Sequence, residues 1–447
     1  MPPPLTRRAI FAQAWPIMIG QASVPLVAIV DTAVIGQTGD AIALAGVALG
    51  SIVITFLFWT FGFLRMGMTG LTAQAEGAGD KGEVDAMLVR GVAAGFVIGA
   101  ALFALQAVLT PLALALFAGG GALDEAARGY ITARFFGAPA ALGYFALVGW
   151  LFGLGATRRA LALQVVMNLI NAGLDILFVW HFDMGARGVG LGTAIAEWSA
   201  LVLGIALCWG LLAPNIADRL KRPARLFARE AMGRLFSVNF DIMVRTIALL
   251  MLFAWFTNAG ARLGPVQLGA NLVLDQFILV AAYVLDAFAF TAESRVGMAI
   301  GRGSRAELLR AARLTGEFSL AAGIVFAAAI LIAGNPVIDL LTSNEAVREA
   351  AYPYIWLVAL IPLLGMPAWL LDGIFIGATR GAALRNAAIL ATACYIATDL
   401  LLRPWGATGL WAAMLASYLF RAAFLGLYLP GLLRSVPDRL AEARRAL

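Results

Sequence analysis

The chain contains little charge, almost no histidine and almost no cysteine. Only 13% of its 447 residues are charged, one residue is histidine (His181), and two are cysteines (Cys208 and Cys394). Both cysteines lie inside apolar runs, one in each half, so neither a disulfide framework nor a cysteine-rich metal cluster is expected. His181 stands where an apolar run ends, which is typical of a residue at a membrane interface. We therefore expect no metal centre and no cofactor.

Apolar residues take the place of the missing charge. They make up 62% of the chain, and the mean hydropathy is +0.88. A soluble domain has about 45–50% apolar and about 25% charged residues, so this composition predicts an integral membrane protein. The net charge of +6 is explained by basic cytoplasmic loops, and nucleic-acid binding is not expected.

The apolar residues fall into twelve runs, each long enough for the roughly 20 residues that a bilayer-spanning helix needs. The first run continues past Gly20, so it predicts a membrane helix rather than a cleavable signal peptide. The predicted spans are Ile10–Ile35, Leu44–Ala75, Val84–Leu109, Tyr130–Leu154, Leu161–Trp180, Gly188–Leu212, Leu235–Asn258, Gln267–Ile300, Leu314–Ala333, Tyr352–Ile376, Ala382–Leu402 and Thr408–Leu432.

Basic residues are distributed unevenly between the loops on the two sides of the membrane. With both termini on one side, 23 of the 32 basic residues fall on that side. Six fall on the opposite side: Arg128, Arg134, Arg187, Arg262, Arg348 and Arg403. Cytoplasmic loops carry the excess of Lys and Arg, so we expect cytoplasmic termini and a multi-pass protein of the bacterial-type inner membrane.

The chain repeats itself at half its length. Gly155-Ala-Thr-Arg158 recurs as Gly377-Ala-Thr-Arg380, an offset of 222, and two shorter matches have offsets of 221 and 224. Six spans per half is an even number, which predicts two lobes related by an axis along the membrane normal. The expected domains are an N-terminal lobe (1–213), a basic cytoplasmic linker (214–234) and a C-terminal lobe with a cytoplasmic tail (235–447).

Polar residues within the first six spans predict an ion-coupling site. A charge in mid-bilayer costs at least about 2.5–3.5 kcal/mol, so each one is a functional candidate. The first span contains Asp31; the fifth contains Asn171 and Asp175, and the sixth contains Thr193 and Glu197, each pair at i,i+4 spacing on one helix face. Two carboxylates that share a cavity favour holding one proton between them, as proton coupling requires.

The second half carries different polar residues. A candidate second-lobe cavity comprises Asp241, Arg245, Asp275 and Gln276, with Arg245 expected to neutralise either Asp241 or Asp275. The repeat offset maps Asp31 to about Phe253–Trp255 and Asp175 to about Ile396–Ala397, where there is no acid. The two lobes are therefore expected to perform different tasks. The sequence does not assign Arg65, Asp286, Glu293 or Asp372 to cavity lining or to helix packing.

Several motifs resemble the multidrug and toxic compound extrusion (MATE) family, specifically its DinF-like branch, over essentially the whole chain. These are Asp31-Thr-Ala-Val-Ile-Gly36, Leu44-Ala-Gly-Val-Ala-Leu-Gly-Ser51, Leu64-Arg-Met-Gly-Met-Thr-Gly-Leu-Thr-Ala-Gln74, Leu285-Asp-Ala-Phe-Ala-Phe-Thr-Ala-Glu293 and Asp372-Gly-Ile-Phe-Ile-Gly-Ala-Thr-Arg380. The resemblance implies an all-α membrane protein with two pseudo-symmetric six-helix lobes in a V shape, which exports organic cations against H⁺ or Na⁺ by alternating access.

The resemblance also implies roles for particular residues. The first-lobe cation site of the DinF-like branch corresponds to Asp31, Asn171, Asp175 and Thr193, which could also hold Na⁺, with Glu197 as a neighbour one turn further on. A proline implicated in bending the first helix corresponds to Pro16. The expected partners are small organic cations and the lipid bilayer, and the expected state is a monomer.

Three other classes of function are less consistent with the sequence. A flippase for lipid-linked precursors would need a strongly basic cavity, but only Arg65, Arg245 and Arg421 were placed within spans. An intramembrane enzyme is disfavoured because the sequence has no HExxH motif, no GxSxG elbow and no cluster of histidines. A channel is less consistent with duplicated lobes than a transporter with alternating access.

Overall fold

In the computed structural model, which describes residues 5–117, 120–212 and 226–437, the backbone is folded into long helices. A helix satisfies its own backbone hydrogen bonds, which lipid cannot do, so apolar runs of this length fold as helices. The helices of the first half are α1 (Arg7–Gly36), α2 (Ala41–Thr60), α3 (Phe63–Ala78), α4 (Lys81–Phe117), α5 (Ala122–Gly153), α6 (Thr157–Ile176) and α7 (Gly185–Trp209).

The second half has the same kind of construction, with more interruptions. Its helices are α8 (Arg229–Arg262), α9 (Pro265–Gly301), α10 (Arg305–Leu341), α11 (Glu345–Ala351), α12 (Ile355–Leu364), α13 (Met366–Gly377), α14 (Gly381–Leu402) and α15 (Gly406–Ser435). Several helices extend past the predicted spans; α10, for example, begins nine residues before Leu314. The polar ends of these helices carry caps, such as Ser304, whose hydroxyl accepts from the Glu307 amide, so the helices continue beyond their apolar centres.

The prediction of about twelve membrane helices agrees with the described residues. Eleven helical stretches there are long and apolar enough to cross a membrane. The longest, Gly381–Ser435, contains two helices, α14 and α15, separated by the short 3₁₀ turn Arg403–Trp405. Since α14 and α15 pack against each other, the chain reverses at this turn, and the stretch accounts for two crossings.

The chain forms two compact units. Of the described residues, one unit contains 5–18, 76–79 and 237–437, and the other contains 19–75, 80–117, 120–212 and 226–236. The first part of α1, through Met18, thus belongs to the unit that contains the second half of the chain. The lobe boundaries at 213 and 235 stay a prediction, and most of the expected linker (residues 214–225) and of the C-terminal tail (residues 438–447) lies outside the described residues.

The repeated Gly-Ala-Thr-Arg motifs lie at equivalent helix ends. After α5, the Ala156 amide donates to the Leu151 carbonyl (2.8 Å), and after α13 the Arg380 amide donates to the Phe375 carbonyl (3.0 Å). The preceding residue has a positive φ in both turns, 70° at Gly155 and 53° at Thr379. Equivalent turn residues are therefore 224 positions apart, whereas the matching letters are 222 apart. This difference changes which residues of the two halves correspond.

Candidate functional site

The predicted first-lobe residues come together in one polar cluster, to which α1, α6 and α7 contribute. The Asn171 amide nitrogen donates to Asp175 Oδ2 and to Thr193 Oγ1, at 3.1 Å in both cases. The carboxyl group of Asp31 lies within hydrogen-bonding reach of Asp175. The exposed fractions of Asp31, Asn171 and Asp175 are only 7%, 2% and 0%. The acids are therefore held side by side away from bulk water.

This acid cluster has more acceptors than donors. Asp31 Oδ1, Asn171 Oδ1 and Asp175 Oδ1 are buried, and no hydrogen-bond partner for them is found within the described ranges. A buried acceptor without a donor costs about 1–3 kcal/mol, and more when it is charged. A proton or a small cation among these oxygens would remove that cost, so the cluster has the chemistry of a cation site.

Glycine makes room for the Asp175 carboxylate. A Cβ atom added to Gly192 on α7 would lie 2.2 Å from Asp175 Oδ1, closer than real contacts allow. The carboxylate therefore packs directly on the α7 backbone, two residues after Gly190 and immediately before Thr193. Gly192 was not identified from the sequence, because nothing in its immediate neighbourhood distinguishes it from the other glycines of α7.

Glu197 has a partner that the sequence analysis missed. Arg134 on α5 donates from Nη2 to Glu197 Oε1 at 2.8 Å, and both side chains are buried. The orientation count had placed Arg134 in an outer loop, which is wrong: the residue lies in the middle of α5, with its guanidinium 5.4 Å from the Phe58 ring centroid. Glu197 is therefore engaged in an ion pair beside the acid cluster.

Tyr130, one turn before Arg134 on the same face of α5, also belongs to this region. Its hydroxyl is buried within electrostatic reach of Asp31, Arg134, Asp175 and Glu197. The i,i+4 spacing of a tyrosine and an arginine inside an apolar span was the signal available in the sequence.

Pro16, the predicted bending residue, is buried within α1, and the helix is continuous from Arg7 to Gly36. It lies in the segment of α1 that packs with the second-half unit, where Ile10 and Ala14 contact Phe288 and Leu314. Its role in helix bending stays a prediction.

The expected pairing of Arg245 was wrong. Arg245 forms an ion pair with Asp372 on α13, and Arg421 on α15 donates to the same carboxylate oxygen at 2.5 Å. Asp241 instead pairs with Arg385 on α14, at 2.6 Å. The partners are distant in sequence, so spacing along one helix did not reveal them.

Asp275 and Gln276 on α9 do not join these ion pairs. Gln276 is exposed and donates to the carbonyl of Leu272 in its own helix, at 3.3 Å. Asp275 is half-buried, within electrostatic reach of Tyr395 and Tyr418, and has no ion pair in the part of the chain that the structure describes. Of the unassigned residues, Glu293 is buried and Asp286 is half-buried, while Arg65 lies over the Phe152 ring, 5.7 Å from its centroid.

The second half has its own counterpart of the Asp31–Asp175 pair. Carried along the helices from the turns at Gly155 and Thr379, the offset of 224 places Trp255 at the position of Asp31 and Asp399 at the position of Asp175, whereas the later turns at Gly185 and Gly406 are 221 apart. The Trp255 indole nitrogen donates to Asp399 Oδ2 at 2.9 Å. The offsets of 221 and 222 lead from Asp175 to Ile396–Ala397, where there is no acid, whereas the offset of 224 leads to Asp399. The first half therefore brings two carboxylates together, Asp31 and Asp175, whereas the second half brings one carboxylate, Asp399, against the indole N–H of Trp255.

The remaining chemistry-bearing residues show no metal-binding arrangement. Within residues 5–117, 120–212 and 226–437, no group of three or more His, Cys, Asp or Glu side chains could hold a metal ion. Cys208 and Cys394 are free thiols, and His181 lies edge-on to Phe182 with a 5.1 Å separation of ring centroids.

Comparison with known proteins gives the class. The MatE family model matches residues 16–177 and 242–401. DNA damage-inducible protein F of Escherichia coli (strain K12) is 36% identical over 409 residues, which cover 91% of this chain and 88% of that protein. The probable multidrug resistance protein NorM of Rhodopseudomonas palustris is 28% identical and covers 82% of this chain and 78% of its own length.

A solved structure has the same fold. The Vibrio cholerae MATE transporter VcmN in its bent form superimposes with a TM-score of 0.87 at 18% identity, covering 96% of this chain and 97% of that one. The chain belongs to the MATE family of multidrug and toxic compound extrusion transporters. The relative from Escherichia coli confirms the DinF-like branch that the motifs predicted. The match to the solved transporter structure confirms the predicted all-α membrane fold. That the relatives are transporters supports a function other than catalysis.

Proposed function

We propose that this chain is a secondary active antiporter that exports organic cations or amphipathic drugs in exchange for H⁺ or Na⁺. The observation that carries the proposal is the pair of buried carboxylates, Asp31 and Asp175, whose Oδ1 atoms lack hydrogen-bond donors within the described residues. Two adjacent carboxylates bind one positive charge well and cannot both stay ionised cheaply without it. A proton, a sodium ion and a cationic drug would therefore compete for the same negative charge.

Competition of this kind is sufficient for coupling. When the site faces the outside, H⁺ or Na⁺ binding neutralises the acids and the organic cation leaves. When it faces the inside, the coupling ion dissociates and the acids attract the next cation. Each ion shifts the conformational equilibrium only by the difference in its affinity for the two states. Asn171 positions Asp175 through its hydrogen bond to Oδ2, and Thr193 holds Asn171 by accepting a hydrogen bond from the same amide nitrogen.

The donor set is compatible with either coupling ion. Hard cations prefer oxygen ligands from carboxylates, amides and hydroxyls, and this cluster offers all three kinds through Asp31, Asn171 and Thr193. A single proton between Asp31 and Asp175 would also satisfy both carboxylates. The transport experiment below distinguishes the two ions.

The arginines of the spans do not favour a flippase. Arg245 and Arg421 are both committed to Asp372, and Arg134 is committed to Glu197. These three arginines are each paired with an acid, and Arg65 lies over the Phe152 ring, whereas a cavity for anionic headgroups needs basic groups free to bind them.

We further propose that the protein lies in a bacterial-type inner membrane with cytoplasmic termini and acts as a monomer with two lobes, 1–213 and 235–447. The excess of Lys and Arg on the side of the termini supports this orientation. Phe and Met side chains, which adapt to varied ligands, would help a cavity to accept different cations.

The test is transport in proteoliposomes. A pH gradient and then a sodium gradient are imposed, and uptake of a fluorescent organic cation is followed for wild type, Asp31→Asn and Asp399→Asn. We expect one of the gradients to drive uptake by wild type and by Asp399→Asn, because the asparagine side-chain oxygen can still accept the hydrogen bond from the Trp255 indole N–H. Asp31→Asn should lose gradient-driven uptake while its expression stays normal. Gradient-driven uptake by Asp31→Asn at the wild-type rate would refute the proposal.

A further inference from the structure

A basic groove lies where α1 and α10 begin, within the unit that contains the second half of the chain. It encloses about 790 Å³ and is lined by Leu5, Arg7, Arg8, Arg310, Arg313 and Glu317, among others. Four arginines and one glutamate give this groove an excess of three positive charges. The transport site makes no use of it.

The packing of the two helices sets the depth of the groove. Ile10 of α1 and Leu314 of α10 belong to one buried cluster, so the two helices are held side by side at this level. Arg8 precedes Ile10 by two residues, and Arg313 immediately precedes Leu314. The arginines therefore stand just outside the apolar section of both helices. That is the depth of lipid headgroups in a bilayer.

Part of the positive charge is already committed. Arg7 and Arg313 share Glu317, with Nε to carboxylate distances of 2.9 and 3.0 Å. Arg310 uses its Nε to donate to the carbonyl of Leu5 at 2.7 Å, which leaves both of its terminal nitrogens available. For Arg8 no hydrogen bond or ion pair is found within the described residues.

A further acid in the first turn of α10 does not neutralise the groove. Glu307 on α10 pairs with Arg302 at 2.8 Å, so its charge is already balanced. Two guanidinium groups with free N–H donors, Arg8 and Arg310, thus face one groove from two helices. Guanidinium groups bind phosphate oxygens through paired, charge-assisted hydrogen bonds.

We propose that the basic groove binds the headgroup phosphate of an anionic phospholipid, with Arg8 and Arg310 as the two donors. The groove supplies positive charge at headgroup depth, and Leu5 and Leu309 provide apolar surface for the first part of the acyl chains. The bound headgroup ties the beginning of α1 to α10. A soluble phosphate monoester carries at least as much negative charge as the lipid phosphate but cannot use the apolar surface, so a lipid should bind far better.

The test compares lipids on the full-length protein in detergent. Native mass spectrometry is used to titrate wild type with phosphatidylglycerol, with phosphatidylcholine of the same acyl chains, and with glycerol phosphate. We expect phosphatidylglycerol to bind wild type best. In Arg8→Gln/Arg310→Gln its affinity should fall by about tenfold or more, since each basic residue contributes about 1 kcal/mol near an anionic lipid surface.

Two control variants separate this site from a general charge effect. Arg128→Gln/Arg262→Gln removes two exposed arginines outside the groove and should bind phosphatidylglycerol as wild type does. Arg8→Lys/Arg310→Lys keeps the charge but loses the paired guanidinium donors, so its affinity for phosphatidylglycerol should lie between those of wild type and Arg8→Gln/Arg310→Gln. The proposal is overturned if Arg8→Gln/Arg310→Gln binds phosphatidylglycerol with unchanged affinity, if phosphatidylcholine binds wild type equally well, or if glycerol phosphate binds as tightly as the lipid.

Discussion

The buried ion pair between Arg134 and Glu197 allows a prediction with a definite magnitude. Removing one partner of such a pair leaves an uncompensated charge in the protein interior and typically costs about 3–5 kcal/mol. Arg134→Met retains much of the volume of the side chain and removes its charge. We therefore expect this variant to unfold with a free energy lower by about that amount.

The double variant provides the decisive comparison. Arg134→Met/Glu197→Met removes both charges, and replacing a whole buried pair by apolar side chains is often neutral or stabilising. It should therefore recover most of the stability that Arg134→Met loses. The denaturant-induced unfolding of all three proteins in the same detergent, followed by tryptophan fluorescence, gives the free-energy differences. If the double variant is as unstable as Arg134→Met, the reasoning from the uncompensated charge is refuted.

Two further predictions follow from close contacts. Gly192→Ala places a Cβ atom 2.2 Å from Asp175 Oδ1, so we expect it to abolish ion-driven transport at normal expression. In the control Gly173→Ala the added Cβ meets no atom within 4 Å, so this variant should transport like wild type. Equal activity of the two variants would contradict the position of the Asp175 carboxylate. Trp255→Phe removes the indole N–H that donates to Asp399, so we expect the free energy of unfolding to fall by about 1–3 kcal/mol. The ion dependence of transport should stay unchanged. A changed ion preference would show that Asp399 takes part in coupling.

Composition and periodicity predicted the fold well. Spans of about 20 apolar residues depend on the backbone's need for internal hydrogen bonds in lipid, and this constraint is local in sequence. The same holds for Asn171 and Asp175, which are one turn apart on α6 and are bonded to each other.

Contacts between distant helices could not be predicted in this way. Asp372 and Arg421 are 49 residues apart, and Asp372 and Arg245 are 127 apart, so the pairing depends on how α8, α13 and α15 pack. The position of Asp399 was missed for a different reason. Matching letters gave an offset of 222, whereas the equivalent turns, with positive φ at Gly155 and Thr379, are 224 residues apart. An error of two residues on a helix rotates a side chain to another face.

The most direct test of the coupling site is the effect of H⁺ and Na⁺ on substrate binding. The affinity of the purified protein for a fluorescent organic cation is measured from pH 5 to pH 8, with and without Na⁺, for wild type and Asp31→Asn. We expect acidification or Na⁺ to weaken binding to wild type, and Asp31→Asn to bind the cation weakly and largely independently of both ions. Binding that stays equally tight in both proteins at every pH and sodium concentration would contradict competition at Asp31 and Asp175.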